Sequence, residues 1–300
     1  MDETTPLGDS RMEAHRREGG KVTGRGMISR GHFLKLAGGT AGVASLGLLA
    51  ACGGETTGTG SAREMPGVQQ EVGSMAGQGR LLARPASTPP PDAKTPDGLR
   101  PLGIGPGHDG LLYLPAGYGT QEKEAPLALT LHGAGGDARS GISHFLDLAD
   151  EFGLVLLSPK ARGRTWDVLA GVYGPDVEFI DRALERTFDR LAVDARRLAI
   201  TGFSDGASYA LSLGLTNGDL FTHVIAFSPG VMAPADRRGE PPVFVSHGVR
   251  DKVLPIRQTS RRIVPELERG GHKVRYREFD GPHTVPDPVA REAVAWFVRT

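Results

Sequence analysis

The sequence predicts an α/β domain, a mostly parallel, doubly wound sheet with helices on both faces. From Leu99 onward short apolar runs alternate with segments of helical periodicity, the pattern of strands joined by crossover helices. The glycines, serine, aspartate and histidine that could carry chemistry fall directly after apolar runs, where such sheets hold their sites. The segment from 99 to 300, about 200 residues, is long enough to bury the core of one such domain.

The strand candidates, in order, are 110–114, 127–132, 154–158, 197–201, 223–228, 243–247 and 273–279. Most are short apolar runs rich in Val, Ile, Leu and Phe, and 273–279 instead alternates Val, Tyr and Phe with charged residues. Helix candidates are 143–152, 177–191, 205–215, 259–269 and 288–298. In the second of these, Val177, Ile180, Leu184, Phe188 and Leu191 recur at three- to four-residue spacing, with Asp176 the expected N-cap and Pro175 just ahead. The connection between strands 223–228 and 243–247, Ser228 to Pro242, is too short for a helical lid, so no large cap domain is expected. No internal repeat is present.

Composition narrows the function classes. Lys plus Arg equals Asp plus Glu at 35 each, so no net field favours nucleic acid or an acidic partner. The single cysteine, Cys52, precludes an intramolecular disulfide and a multi-thiolate zinc site. No His-Glu-x-x-His or comparable ligand cluster is present, and no metal or cofactor is expected.

Three regions follow. Residues 1–52 form an N-terminal extension and signal-type segment. Arg30 and Lys35 precede an uncharged Gly/Ala/Leu run from Leu36 to Ala51, about 16 residues and short for a membrane span of about 20. Its end, Leu49-Ala50-Ala51-Cys52, resembles the bacterial lipoprotein box, which implies lipidation at Cys52. The segment Ser29 to Lys35 is similar to a twin-arginine export signal with Gly31 at the second arginine position, so a twin-arginine-like or general secretory route is expected. Residues 53–98, rich in Gly, Ser, Thr and Pro, are expected to form a disordered tether. The 99–300 domain would then be an extracytoplasmic, membrane-anchored unit.

The chemistry centres on Gly202-Phe203-Ser204-Asp205-Gly206. A Gly-x-Ser-x-Gly match alone means little, because in a chain with 43 glycines roughly 0.3 such matches arise by chance. Its setting is more specific. A serine hydroxyl needs a base to accept its proton and a third group to orient that base. Asp251 follows strand 243–247 and His283 follows strand 273–279, giving the chain order Ser, acid, His. Asp280 and Asp236 are the rival carboxylates, and His132 and His247 are expected to support loops. Two oxyanion donors are also needed. The backbone N–H of Asp205 comes with the strand-to-helix turn, and that of Ala134 in His132-Gly133-Ala134-Gly135-Gly136-Asp137 fits the second place. Phe203 is expected to pack below the turn, and Trp166 and Tyr173 are candidate substrate-pocket walls.

The stretches LHGAGGD, GFSDGASYAL, HGVRDKVLP and GPHTVP together resemble the α/β-hydrolase family over residues 100–300. More narrowly they are similar to small bacterial esterases of the phospholipase/carboxylesterase and poly(3-hydroxybutyrate) depolymerase type. The resemblance implies a serine esterase without metal or cofactor, with Ser204 as nucleophile, His283 as general base then acid, and Asp251 as orienting carboxylate. The expected substrate is a small-molecule or polymeric carboxylic ester. The alternatives are a thioesterase, lysophospholipase or polyester depolymerase using the same groups, or a non-catalytic surface-binding lipoprotein.

Overall fold

The computed structural model describes residues 75–85, 96–105, 109–118 and 124–300. The signal-type segment, Cys52 and most of the 53–98 stretch lie outside the described residues. Among those described, no helix is long and apolar enough to cross a membrane.

Eight strands form one sheet: β1 (Gly98–Pro101), β2 (Gly110–Leu114), β3 (Ala125–Leu131), β4 (Val155–Pro159), β5 (Val193–Phe203), β6 (His223–Phe227), β7 (Val243–Gly248) and β8 (Val274–Phe279), in the order β1-β2-β4-β3-β5-β6-β7-β8. The β1–β2 and β2–β4 pairs are antiparallel, and every other pair is parallel. Among the described residues, the helices that join the strands or follow the last of them are α1 (Ala138–Ile142), α2 (Leu146–Phe152), α3 (Pro175–Phe188), α4 (Asp205–Thr216), α5 (Ser260–Arg269) and α6 (Asp287–Arg299).

Residues of β3, β4, β6 and β7 are buried throughout, because helices cover both faces of the sheet. Alternate residues feed separate cores. Leu127, Leu129, Val243 and Val245 pack with α3, α4 and α5, whereas Ala128 and Phe244 pack with α1, α2 and α6. The edge strand β8 instead alternates, exposing Arg275 and Arg277, charges that discourage edge-to-edge pairing.

Most expected elements recur with shifted ends. The edge strand β1 has no strand signal in its four residues; the helix expected at 143–152 starts only at Leu146 (α2), after a turn at 143–145, and a short helix that was not expected, α1, precedes that turn. Gly174, not Asp176, caps α3, with Pro175 in its first turn. Asp176 is buried instead, and its two oxygens accept the Arg162 and Asp167 amides, holding the loop after β4. The β6–β7 connection, residues 228–242, contains no helix.

The tether expectation needs correction for residues 75–85, which dock on the domain. Arg80 is buried and forks onto Asp219 (3.0 and 2.7 Å) while donating to the Thr216 carbonyl (2.5 Å). Asn217 accepts from the Leu81 amide and donates to the Gly79 carbonyl, and Asp181 accepts from the Leu82 and Ala83 amides. The segment is irregular rather than periodic; it buries Ala76, Leu81 and Ala83, and side chains far along the chain satisfy its backbone polar groups.

Candidate active site

β5 delivers its last residues into a tight turn before α4. Ser204 occupies it with φ 59° and ψ −121°, a left-handed conformation costly for a residue with a Cβ. Its amide donates to the Phe227 carbonyl (3.0 Å), which anchors the turn to β6. Two glycines make the turn possible. A Cβ at Gly202 would fall 2.4 Å from the Gly206 backbone, and one at Gly206 would fall 2.1 Å from the Leu131 carbonyl oxygen. Those separations are far inside van der Waals contact.

The structure brings together Ser204, His283 and Asp251. His283 Nε2 lies 2.9 Å from Ser204 Oγ, and His283 Nδ1 lies 2.5 Å from Asp251 Oδ2. The carboxylate fixes the tautomer. Nδ1–H donates to Asp251, leaving the Nε2 lone pair to accept the Ser204 hydroxyl proton.

Asp251 is buried, and burial alone would push its pKa up. The Leu254 amide, His283 and the Val253 amide outweigh that and hold it below the usual carboxylate range. Its Oδ1 accepts both amides at 2.8 Å. The rival carboxylates are elsewhere: Asp280 is 75% exposed and paired with Arg250, and Asp236 is exposed.

A second histidine touches the same carboxylate. His247 Nε2 is 2.8 Å from the Leu254 carbonyl and 3.2 Å from Asp251 Oδ2, and its Nδ1 is 2.7 Å from Ser260 Oγ. The carbonyl makes Nε2 the donor and Nδ1 the acceptor of the Ser260 hydroxyl. Burial holds His247 below the ordinary histidine pKa, so it stays neutral.

The loop after β3 faces Ser204 from the other side. A Cβ at Gly133 would sit 3.4 Å from Ser204 Cβ, so glycine leaves the approach to Oγ open. His132 braces this loop: its Nδ1–H donates to the Gly133 carbonyl (2.8 Å), and its Nε2 accepts the Ala161 amide (3.0 Å). The Gly135 amide donates to the Arg164 carbonyl. Among the described residues the amides of Ala134 and Asp205 have no hydrogen-bond acceptor, the latter as the first amide of α4. The Asp205 carboxylate accepts from Thr165 Oγ1 (2.6 Å), a second tie between the 161–167 loop and the site that the sequence did not signal.

Trp166 and Tyr173 are not walls of this site. Trp166 is 1% exposed, stacked on Tyr209 (5.1 Å between centroids) with Nε1–H donating to the His132 carbonyl. A large aromatic with one buried donor gains more from core packing than from facing a cleft. Tyr173 packs on Gly79 and Tyr209 and donates to the Ala233 carbonyl. Phe203, expected below the turn, instead lies against the His283 ring at 4.6 Å and edge-on to His144 at 5.9 Å. Phe203, His144, Phe145, Phe227, Gly133 and Ala134 line a cavity of about 360 Å³ beside the nucleophile turn. His144 went unnoticed because nothing in its local sequence marks it.

A family model described as Phospholipase/Carboxylesterase matches residues 177–287, a span that contains Ser204, Asp251 and His283. No curated protein matches the chain. Among solved structures the chain is similar to the esterase PE8, at 25% identity and TM-score 0.53 over 64% of this chain and 98% of that one. It is also similar to an S-formylglutathione hydrolase from Staphylococcus aureus (15% identity, TM-score 0.53, 63% of this chain and 91% of that one). A fluorophosphonate-binding serine hydrolase of the same organism aligns at 14% identity and TM-score 0.51, over 63% of this chain and 91% of that one. The fold is therefore that of the α/β-hydrolases, without a large cap, and the family match supports a carboxylic-ester hydrolase.

Proposed function

We propose that the chain hydrolyses carboxylic esters through an acyl-enzyme on Ser204. The observation that carries this is the unbroken chain from Ser204 Oγ through His283 to Asp251, with Ser204 held on a strained turn at the end of β5. Ser204 Oγ attacks the ester carbonyl carbon while His283 Nε2 takes its proton, and Asp251 stabilises the imidazolium. The carbonyl oxygen, now an oxyanion, accepts hydrogen bonds from the Asp205 and Ala134 amides. As the ester C–O bond breaks, His283 returns the proton to the departing alcohol. A water then attacks the acyl carbon with His283 as base, releasing the carboxylic acid and restoring the Ser204 hydroxyl. No metal or cofactor takes part in these steps.

The test is labelling and turnover by the full chain. A fluorophosphonate should label Ser204, and Ser204→Ala should lose labelling and about 10⁴-fold or more in kcat on 4-nitrophenyl esters. Undiminished turnover in that variant overturns the assignment. A panel of phenolic, polyester, thioester and lysophospholipid substrates then ranks the acyl and alcohol parts accepted.

Lipidation of Cys52, supported by the Leu49–Cys52 stretch, would tether the enzyme to the extracytoplasmic face of a membrane. Metabolic palmitate should label the wild type and not Cys52→Ala; labelling that persists in the variant sinks this part of the proposal.

A further inference from the structure

A second cavity, of about 270 Å³, is built on elements that contribute nothing to the Ser204 network. Arg100 reaches it from β1, Arg186 from the last turn of α3 and Arg190 from the turn that follows α3, while Leu102, Leu112 and Leu191 supply apolar wall. Several arginines elsewhere hold a carboxylate, among them Arg80, Arg197, Arg261 and Arg275. The three around this cavity hold none. Among the described residues no carboxylate or carbonyl pairs with the three guanidinium groups, and the Nε atoms of Arg100 and Arg186 are buried with no hydrogen-bond partner.

That arrangement costs the fold something in the absence of a ligand. A buried N–H without an acceptor destabilises the fold, and gathered like charges repel. The α3 C-terminus explains one cation in its last turn. It does not explain Arg100, which comes from a different element, or either orphaned Nε. An oxyanion between the three forks would satisfy the donors and neutralise the charge, since guanidinium matches carboxylate and phosphate geometry alike. A bare inorganic ion would leave the leucine side of the cavity unfilled, so the fitting ligand carries apolar atoms as well. The volume falls just under the ~300–1,000 Å³ of ordinary small-molecule pockets, which sets a small body.

We propose that this cavity binds an oxyanion, carboxylate or phosphate monoester, carried on a short apolar body. The proposal is independent of the ester chemistry at Ser204. The experiment is calorimetric titration of the full chain with hexanoate, hexyl phosphate and inorganic phosphate. At least one hexyl ligand should bind at least tenfold more tightly than inorganic phosphate, and the tighter of the two identifies the anionic group. Arg100→Gln/Arg186→Gln should weaken that binding tenfold or more while 4-nitrophenyl acetate turnover stays within twofold. The exposed Arg190→Glu, which leaves the half-buried Arg100 and Arg186 intact, should weaken it similarly without lowering the melting temperature. The proposal is overturned if neither hexyl ligand binds, if inorganic phosphate binds as tightly, or if both variants bind as the wild type does.

Discussion

His247 Nε2 lies 3.2 Å from Asp251 Oδ2, the same oxygen that faces His283 Nδ1 at 2.5 Å. Asp251 is therefore held on three sides, by His247, by His283 and by the Val253 and Leu254 amides. His247 acts on the reaction through Asp251 and touches no reacting atom, which makes it a positioning residue. His247→Phe removes the donor and leaves the Leu254 carbonyl and Ser260 hydroxyl unpaired. With a hydrogen bond to a charged group worth about 1.5–3 kcal/mol, kcat should fall about tenfold or more while KM stays within twofold. His247→Gln, which can still donate to the carbonyl, should recover part of the loss. Equal loss in both variants, or a loss confined to melting temperature, argues for packing alone.

Replacing Asp251 by Asn tests the orienting role more directly. The amide can place an N–H toward His283 Nδ1, so the ring must present Nδ1 as acceptor and Nε2 as a protonated donor. It then has no lone pair for the Ser204 proton. Single-turnover kinetics on 4-nitrophenyl acetate should show acylation slower by about 10⁴-fold, with substrate affinity little changed. Acylation within tenfold of wild type shows that another carboxylate can serve.

The sequence made Ser204, Asp251 and His283 readable because each follows an apolar run and the family resemblance supplies their order. Trp166 and Tyr173 misled for a physical reason: aromatic residues in a loop near a site look alike whether the loop faces solvent or folds over a core. Only the His132 carbonyl, far away in sequence, reveals that Trp166 points inward. The docking of Arg80 was equally hidden, since its partners Thr216 and Asp219 lie more than 130 residues ahead. β1 was missed because four residues ending in proline carry no period; its pairing with β2 defines it.

Two buried groups set opposing acid responses. Burial pushes His223 down to about 4, where its nitrogens bond the Thr222 and Thr300 hydroxyls. The unfolded chain then binds the proton first, so His223 contributes stability that is complete above about 6.5 and is lost as pH falls toward 4. Asp176 is pushed up to about 6, by burial first and with Asp167 adding repulsion. Its folded form holds a proton the unfolded chain has released, so stability falls as pH rises from about 4 to 6. Urea midpoints measured from pH 7 to 4 should show His223→Gln losing less than wild type on acidification and Asp176→Asn losing more. Parallel curves for all three proteins sink both assignments.

Arg80 gives the last test, of whether residues 75–85 belong to the folded unit. Its guanidinium satisfies the Thr216 carbonyl at the end of α4 and both oxygens of Asp219, while Tyr173 closes over Gly79. Removing it leaves a carbonyl unpaired and Asp219 with Arg84 alone. Because Asp219 is partly solvated, the loss is that of charge-assisted hydrogen bonds more than of a fully buried ion pair, about 1–3 kcal/mol. Arg80→Ala should therefore shift the urea midpoint clearly, while Leu82→Ala, 46% exposed in the same segment, should change stability by about 0.5 kcal/mol or less. In both variants kcat/KM well below the melting temperature should match wild type, since no residue of the segment touches Ser204. If the two variants are equally stable, Arg80 contributes nothing to holding the segment on the domain.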